Sequence, residues 1–578
     1  MRLVASLALL AGGAYVVWRA GWTLGGTSLW LSVPLLAAEA WAGLQLAFLA
    51  LQAWRVPGPG RRVSPVGSSV GVLVLAGRSA VDEVERTLLG CRVLSGGPYP
   101  VTVADGSERP EIAAVAARLG AAYRVLPDEL GARIESVEGE LVLVLGAGQV
   151  PYPDLVARTS GRFADDRVAC VQFRNDFANA DALTTVFHGR NEQDLLNEVI
   201  GPSLGARGHA LWLGAGSLVR RRAFLDAAAH DRGGAASRAF RMTARLLAAG
   251  WRVEFERAPM VESMGPDSLD AYLEGSRRRA YWTLKLLASR DNPLLARGVP
   301  WRARLTLFAA ASRYLVGVQR LTLLLVLLAT LASGRSPIDA SLGQLAAVWL
   351  PAFALQAAAG VALARGTLAF GDRSRHALRT MGAYLEGTVR AFVLRAWRPR
   401  SVSGRGGGLR DISHLGLLAG LTLVLDGLLL VRAVGDRIGA GLPPLEGHLR
   451  VAALVAGVVV LVQMLDVLQL LLGRRQERRF YRCVDLAAWV GVGTARARDL
   501  TPRGSGWSWA IEVERLPLAQ ARARQAREGV AAPRAAEGRG RQPLRPAARD
   551  RPATAPPAPT GSCSASSWPT ASRRASTR

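Results

Sequence analysis

The chain has 578 residues, 50% of them hydrophobic, with a mean hydropathy of +0.18. Its formal charge is +27, carried by 72 basic residues of which only Lys285 is lysine. Apolar runs long enough to cross a bilayer exclude a purely soluble protein, and beside them a basic balance reads as cytoplasmic loops rather than nucleic-acid binding. Six such runs are expected to span. The first covers residues 3–18, with Arg2 before it. A signal peptide is disfavoured there, because no small-residue cleavage site follows and a second run, 29–54, comes at once.

About 250 residues of soluble character come next. Short β-branched runs at 70–76, 100–104, 140–145 and 169–173 read as strands, and 82–89, 111–119 and 238–249 read as helices. That alternation predicts an α/β domain on a mostly parallel sheet, with ligands at the carboxyl ends of the strands. Gly146-x-Gly148 follows a strand and invites a dinucleotide-site reading, but Pro151 and Pro153 prevent a helix from opening there, so it reads as a strand-to-loop turn. Four more spans are expected at 313–332, 342–364, 415–434 and 451–472. Between them, 365–410 holds ten arginines and only two acids, Asp372 and Glu386. The positive-inside rule then places both termini, this arginine-rich loop and the central domain in the cytoplasm. Glu39, Asp426 and Asp466 fall inside apolar spans. They mark either a polar path or helix-to-helix hydrogen bonds, and Glu39, nearest mid-span, is the channel candidate. Cys91, Cys170, Cys483 and Cys563 are isolated and the six histidines scattered, so neither a disulfide framework nor a zinc site is implied.

Several strings in order resemble the bacterial cellulose synthase catalytic subunit, a processive family-2 glycosyltransferase. They are Trp30-Leu31-Ser32 with Trp54-Arg55, Asp105-Gly106 with Arg109-Pro110-Glu111, and Asn191-Glu192-Gln193-Asp194-Leu195. Gly214-Ala215-Gly216-Ser217 with Arg220-Arg221, Ala249-Gly250-Trp251, Asn292-Pro293-Leu294-Leu295 and the run Phe370 to His376 continue them. The resemblance implies a cytoplasmic nucleotide-sugar domain, Mg²⁺ on a D-x-D pair, an aspartate base and a transmembrane channel exporting a β-1,4-glucan.

The departures fall on the chemistry. Gly146 and Gly148 stand at the metal-ligand positions, where hard oxygen donors are required. Ala239 stands at the base position, in Ser237-Arg238-Ala239. The acceptor signature reads Gly275-Ser276-Arg277-Arg278-Arg279 and keeps only Arg278, while the uridine-binding pair keeps only Asp105 beside Ala104. The resemblance therefore leaves Asp105 and Arg278 as substrate-binding candidates, no catalytic residue and doubtful metal binding.

The run Arg474 to Arg482, the apolar 484–492 and Asp499 to Gly504 resemble the start of a PilZ domain, whose motifs bind cyclic di-GMP. Guanidiniums fork onto phosphate oxygens, so Arg478 and Arg482 are the expected pair, with Asp499, Thr501 and Gly504 as the second motif. No strands follow Trp509. The last 74 residues carry thirteen arginines against five acids and read as a disordered basic tail of frameshifted text.

The expected fold class is α/β plus membrane all-α, with an incomplete β PilZ-like C-terminus. The divisions are a transmembrane hairpin 1–56, a GT-A-like domain 57–300, a channel region 301–473 with a gating loop 366–414, a partial PilZ segment 474–505 and the tail 506–578. The expected protein is a multi-pass inner-membrane, cellulose-synthase-like glycosyltransferase homologue linked to cyclic di-GMP and catalytically impaired. Its alternatives are an active UDP-glucose-dependent cellulose synthase and a non-catalytic scaffold or channel subunit. Membrane lipid, a UDP-sugar, the glucan chain and a periplasmic cellulose synthase subunit are the implied partners, with no nucleic acid.

Overall fold

The computed structural model describes residues 1–55, 67–178, 193–228, 235–266, 269–368, 371–396 and 413–438 as continuous segments. The chain divides into two units, Met1–Glu528 and Gly529–Arg578, and the second lies outside the described residues. So do the PilZ-like segment with Arg478, Arg482, Asp499, Thr501 and Gly504, the residue Asp466 and, but for isolated positions, the sixth expected span.

Two apolar helices open the chain, α1 (Arg2–Trp22) and α2 (Leu29–Ala53). The central domain is built on eight strands: β1 (Val70–Leu75), β2 (Val101–Asp105), β3 (Ala122–Val125), β4 (Leu141–Gly146), β5 (Val150–Pro151), β6 (Val168–Phe177), β7 (Ser217–Arg220) and β8 (Arg252–Ser263). They form one sheet in the order β3-β2-β1-β4-β7-β6-β8-β5. Leu75 is in register with both Ala104 and Gly146, so β1, β2 and β4 end level along one carboxyl edge. The sheet is mostly parallel, as expected: six strands run one way, and β5 and β7 run against them. β7 runs antiparallel to both β4 and β6, and β5 antiparallel to β8. The reason is topological: β6 ends at the carboxyl edge and β7 starts from that same edge, so the two neighbours run in opposite directions.

Strand alternation divides the core into two layers. Val72, Val74 and Leu143 pack with α3 (Val81–Arg92) and α4 (Pro110–Arg118) through Leu88 and Ile112. Leu73, Val142 and Val144 face α5 (Leu130–Glu135), α6 (Arg221–Ala228) and α7 (Ala235–Ala248) through Ile134, Phe224 and Met242. Gly71 interrupts the β1 valines for a steric reason. A Cβ there would lie 2.1 Å from the Glu138 carbonyl oxygen, so that backbone approach requires glycine.

After β8 come α8 (Leu269–Leu287), α9 (Trp301–Ser312), α10 (Val316–Ser333), α11 (Leu342–Ala364), α12 (Asp372–Val389) and α13 (Ser413–Ile438). Among the described residues four helices are long and apolar enough to cross a membrane: α1, α2, the continuous Trp301–Ser333 and α11. Six were expected. The third begins twelve residues earlier than its expected start, because a 3₁₀ turn at Arg313–Leu315 joins α9 to α10. The fifth expected span is helical in α13, and α11 matches its expected bounds. Within the expected gating loop, α12 is a helix that buries Ala377, Leu378, Met381 and Tyr384 on one side. The segment after β6 seats the sheet on the apolar helices, with Val199 packed among Ala8, Leu46, Ala50 and Ala359. Arg207 Nη1 donates to the Leu51 carbonyl at 3.0 Å across the same junction.

Candidate functional site at the carboxyl edge of the sheet

Asp105 closes β2 with no solvent exposure. Arg109, the N-cap residue of α4, meets it bidentately, Nε to Oδ2 at 2.7 Å and Nη2 to Oδ1 at 2.9 Å. The same guanidinium donates to the carbonyls of Ser79 and Gly77, both at 2.8 Å, and so ties the ends of β1 and β2 together. Tyr123 on β3 donates to Asp105 Oδ2 at 3.2 Å. Burial pushes the Asp105 carboxyl up, but Arg109, the Ser107 amide and Tyr123 outweigh it and hold it below the ordinary carboxylate range. Both oxygens of this expected substrate residue are thus engaged within the protein, and Arg109 and Tyr123 share its place.

The loop after β4 holds Gly146 and Gly148, the positions where metal ligands were expected. Gly146 N donates to Gln149 Oε1 at 2.8 Å, and Gly148 N to Thr87 Oγ1 at 2.9 Å and the Glu83 carbonyl at 3.0 Å. Gly148 sits at φ +86, a conformation that glycine adopts freely. A Cβ on Gly146 would point at Ala215 and Gln149, 3.4 and 3.6 Å away. Glu83 of α3, whose backbone carbonyl accepts from Gly148 N, caps the Ala80 amide with its side chain at 3.2 Å. The residues present do not fit a divalent cation. The oxygen donors around the loop are neutral or committed elsewhere, and no group of three or more His, Cys, Asp or Glu suited to a metal occurs among the described residues.

Beside the loop, Gln172 Nε2 donates to the Gly216 carbonyl at 2.9 Å and its Oε1 accepts from Leu213 N at 2.7 Å, fixing the turn into β7. Trp212 Nε1 donates to Ser217 Oγ at 3.1 Å.

Arginines line the other side of the edge. Asp128, in the loop after β3, forms an ion pair through Oδ1 with Arg133 Nη1 of α5 at 2.9 Å and accepts from Arg238 Nη1 of α7 on the same oxygen at 3.3 Å. Arg238 Nη2 also donates to the Asp128 carbonyl, and Arg133 Nε to the Pro127 carbonyl at 2.9 Å. Both guanidiniums are largely buried, whereas the Asp128 side chain is 56% exposed. Burial lowers Arg133 from its ordinary value, Asp128 opposes this and Arg238 adds to it. Ala239, at the expected base position, is the next residue along α7 and carries no proton acceptor.

Arg278 is exposed on α8. Its neighbour Arg277 is fully buried, donating to both oxygens of Glu274 at 2.7 Å and to Glu386 Oε1 of α12 at 2.8 Å. Burial alone would lower Arg277, and the two glutamates raise it instead. Glu39 accepts from Tyr15 at 2.8 Å and from the fully buried Arg19 Nε at 3.0 Å, so both its oxygens are held by α1. Sequence reasoning missed Arg133, Arg238, Arg277 and Arg19 as members of polar clusters. Arginine is so abundant in this chain that only spatial convergence singles them out. A shallow groove of about 360 Å³ lined by Ala223, Asp226, Arg245 and Trp251 opens at the opposite end of the sheet from these groups.

Residues 141–363 match the family described as glycosyl transferase family group 2. The chain is 27% identical over 363 residues to a protein named cellulose synthase 2 from Novacetimonas hansenii, a match covering 58% of this chain and 22% of that one. It is 24% identical over 370 residues to the UDP-forming cellulose synthase catalytic subunit of Pseudomonas fluorescens (strain SBW25), covering 60% of this chain and 49% of the relative. The matches thus span about half of the catalytic subunits' length or less. Among solved structures, the Pyrobaculum calidifontis mannosyltransferase PcManGT in complex with GDP-Man and Mn2+ has a TM-score of 0.44 and 18% identity, covering 63% of this chain and 100% of that one.

Proposed function

With a family-2 glycosyltransferase domain, the chain is a homologue of cellulose synthase catalytic subunits, and from that premise we propose that it serves polysaccharide synthesis and export without polymerising glucan itself. In the mechanism that the resemblance implies, a base takes the proton of the acceptor hydroxyl and a cation stabilises the departing diphosphate. The single observation carrying the proposal is that glycines at 146 and 148 and alanine at 239 occupy the positions where those groups are expected, with the loop donors already committed. The protein then acts as a nucleotide-sugar-binding scaffold or channel subunit of a secretion complex. Its sheet domain and both termini face the cytoplasm, at the inner membrane, and cyclic di-GMP is sensed through Arg478 and Arg482.

The test is incorporation of radiolabelled UDP-glucose into polymer by the purified protein in proteoliposomes, with Mg²⁺ and with and without cyclic di-GMP. The expected result is no product above protein-free vesicles. Glucan made by the unaltered chain would overturn the proposal in favour of an active cellulose synthase.

A further inference from the structure

We propose that a collar of arginines at the junction of the apolar helices with the sheet domain, Arg2, Arg55, Arg207, Arg257, Arg302 and Arg365, binds the phosphodiester headgroup of an anionic phospholipid. The inference goes beyond the function proposed above and rests only on its reading of the apolar helices as membrane spans.

Three observations carry it. The first is convergence. Met1 and Ala5 of α1, Ala53 of α2 and Leu363 of α11 pack in one cluster, so the start of α1 and the ends of α2 and α11 meet. Arg2 opens α1 there, and Arg365 closes α11. Arg365 Nη2 donates to the Ala53 carbonyl and, at 2.8 Å, to the Arg55 carbonyl. Arg55 Nη1 reaches the Ala206 carbonyl at 3.4 Å, beside Arg207, which bonds back to α2 at Leu51. Arg302 belongs to α9, which α2 meets where Gln52 Nε2 donates to the Thr306 carbonyl at 3.2 Å. The second observation is uncompensated charge. Among the described residues these guanidiniums meet backbone carbonyls, the Trp301 ring and one another, but no carboxylate. Burial lowers Arg365 from its ordinary value, and Arg257 and Arg2 add to that effect. Burial lowers Arg207 likewise, with Arg55 and Arg302 adding to it. The third is the state of Arg365 itself. Its φ of +50 lies in the left-handed region that side chains rarely adopt, and its buried Nε has no hydrogen-bond partner.

A phosphodiester answers all three. Guanidinium forks donate paired hydrogen bonds to its oxygens, and its negative charge offsets the clustered cations. The position selects a lipid over a soluble phosphate. The collar lies at the ends of the apolar helices, where headgroups of a surrounding bilayer stand. Trp301, 62% exposed and 5.2 Å from the Arg302 guanidinium, is placed as an interfacial aromatic anchor at the same level. Arginines that only set membrane orientation need neither this convergence nor a left-handed backbone.

The experiment is binding of fluorescent phosphatidylglycerol to the delipidated, detergent-solubilised full-length protein, in competition with phosphatidylcholine or inorganic phosphate. Phosphatidylglycerol should bind about tenfold or more tightly than phosphatidylcholine. Arg55→Gln with Arg365→Gln should remove that preference, with a thermal melt to verify folding. Arg2→Gln with Arg257→Gln is the second variant, because these exposed side chains make no hydrogen bond among the described residues. It should weaken phosphatidylglycerol by about tenfold even if the first variant fails to fold. Arg92→Gln with Arg124→Gln removes the same charge from the exposed end of α3 and the far edge strand β3, and should leave the preference unchanged. Equal affinity for the two lipids would overturn the inference, as would equal losses in the collar and control variants. Displacement by inorganic phosphate at the concentration of the lipid would overturn it in favour of a soluble phosphate ligand. Extraction of the reconstituted protein from vesicles by alkaline carbonate would sink the membrane reading itself, and the inference with it.

Discussion

Asp105 shows what a single side chain does at this edge. A carboxylate with no solvent exposure keeps its charge only if its partners replace water, and here Arg109 and Tyr123 do so. The same contacts join three consecutive strands of the sheet's outer half. Asp105→Asn should therefore destabilise the protein by about 2 kcal/mol, since it weakens charge-assisted bonds and turns one acceptor into a donor. The sign of the pH effect follows from the depressed folded-state pKa. The stabilisation is fully present above the ordinary value of 3.8 and is lost as pH falls below it through the folded value. Thermal melts of the solubilised protein should drop more steeply below about pH 4 for the unaltered chain than for Asp105→Asn. Parallel profiles would show that the carboxylate is not stabilised by folding.

At the scale of elements, the seam between α8 and α12 couples the sheet domain's last helix to the segment that follows the apolar helix α11. Gly387 makes the approach possible. A Cβ there would lie 2.7 Å from Ala280 Cβ and 3.0 Å from the Arg277 carbonyl oxygen. One residue away, Glu386 receives both Arg277 and Arg390 at 2.8 Å. Gly387→Val should force the helices apart and cost about 1–3 kcal/mol, the usual range for overpacking. Its melting temperature should fall, and limited proteolysis should open the chain within α12 before the sheet domain. Unchanged melting and cleavage would mean that the seam adjusts freely. This helix was not legible in the sequence, where arginines at 373, 375, 379 and 390 mask the apolar positions 377, 378, 381 and 384. Four of the eight strands were legible, and β1 and β4 most plainly, because Val70–Leu75 and Leu141–Gly146 are buried on both faces and read as apolar runs; β3, β5, β7 and β8 were not read.

For the whole molecule, the hairpin of α1 and α2 depends on an ion pair inside apolar surroundings. Arg19 is fully buried and meets Glu39 at 3.0 Å, and Tyr15 occupies the other carboxylate oxygen. Removing one partner of a buried pair leaves an uncompensated charge, at a typical cost of about 3–5 kcal/mol. Arg19→Leu should thus be strongly destabilising in a detergent-unfolding assay, and Arg19→Leu with Glu39→Leu less so than the sum of the two single changes. Additive losses would place Glu39 toward a polar path and away from Arg19. The sequence by itself determined four apolar spans and the α/β order of the central domain, because hydropathy period and residue identity are local properties. Only the tertiary structure decided that β7 runs back between β4 and β6, that Asp105 is consumed by Arg109, and that Arg133 and Arg238 meet over Asp128. Strand direction depends on which edge the chain returns from, and the pairing of one arginine among so many depends on distances that connect residues 128, 133 and 238 only after folding.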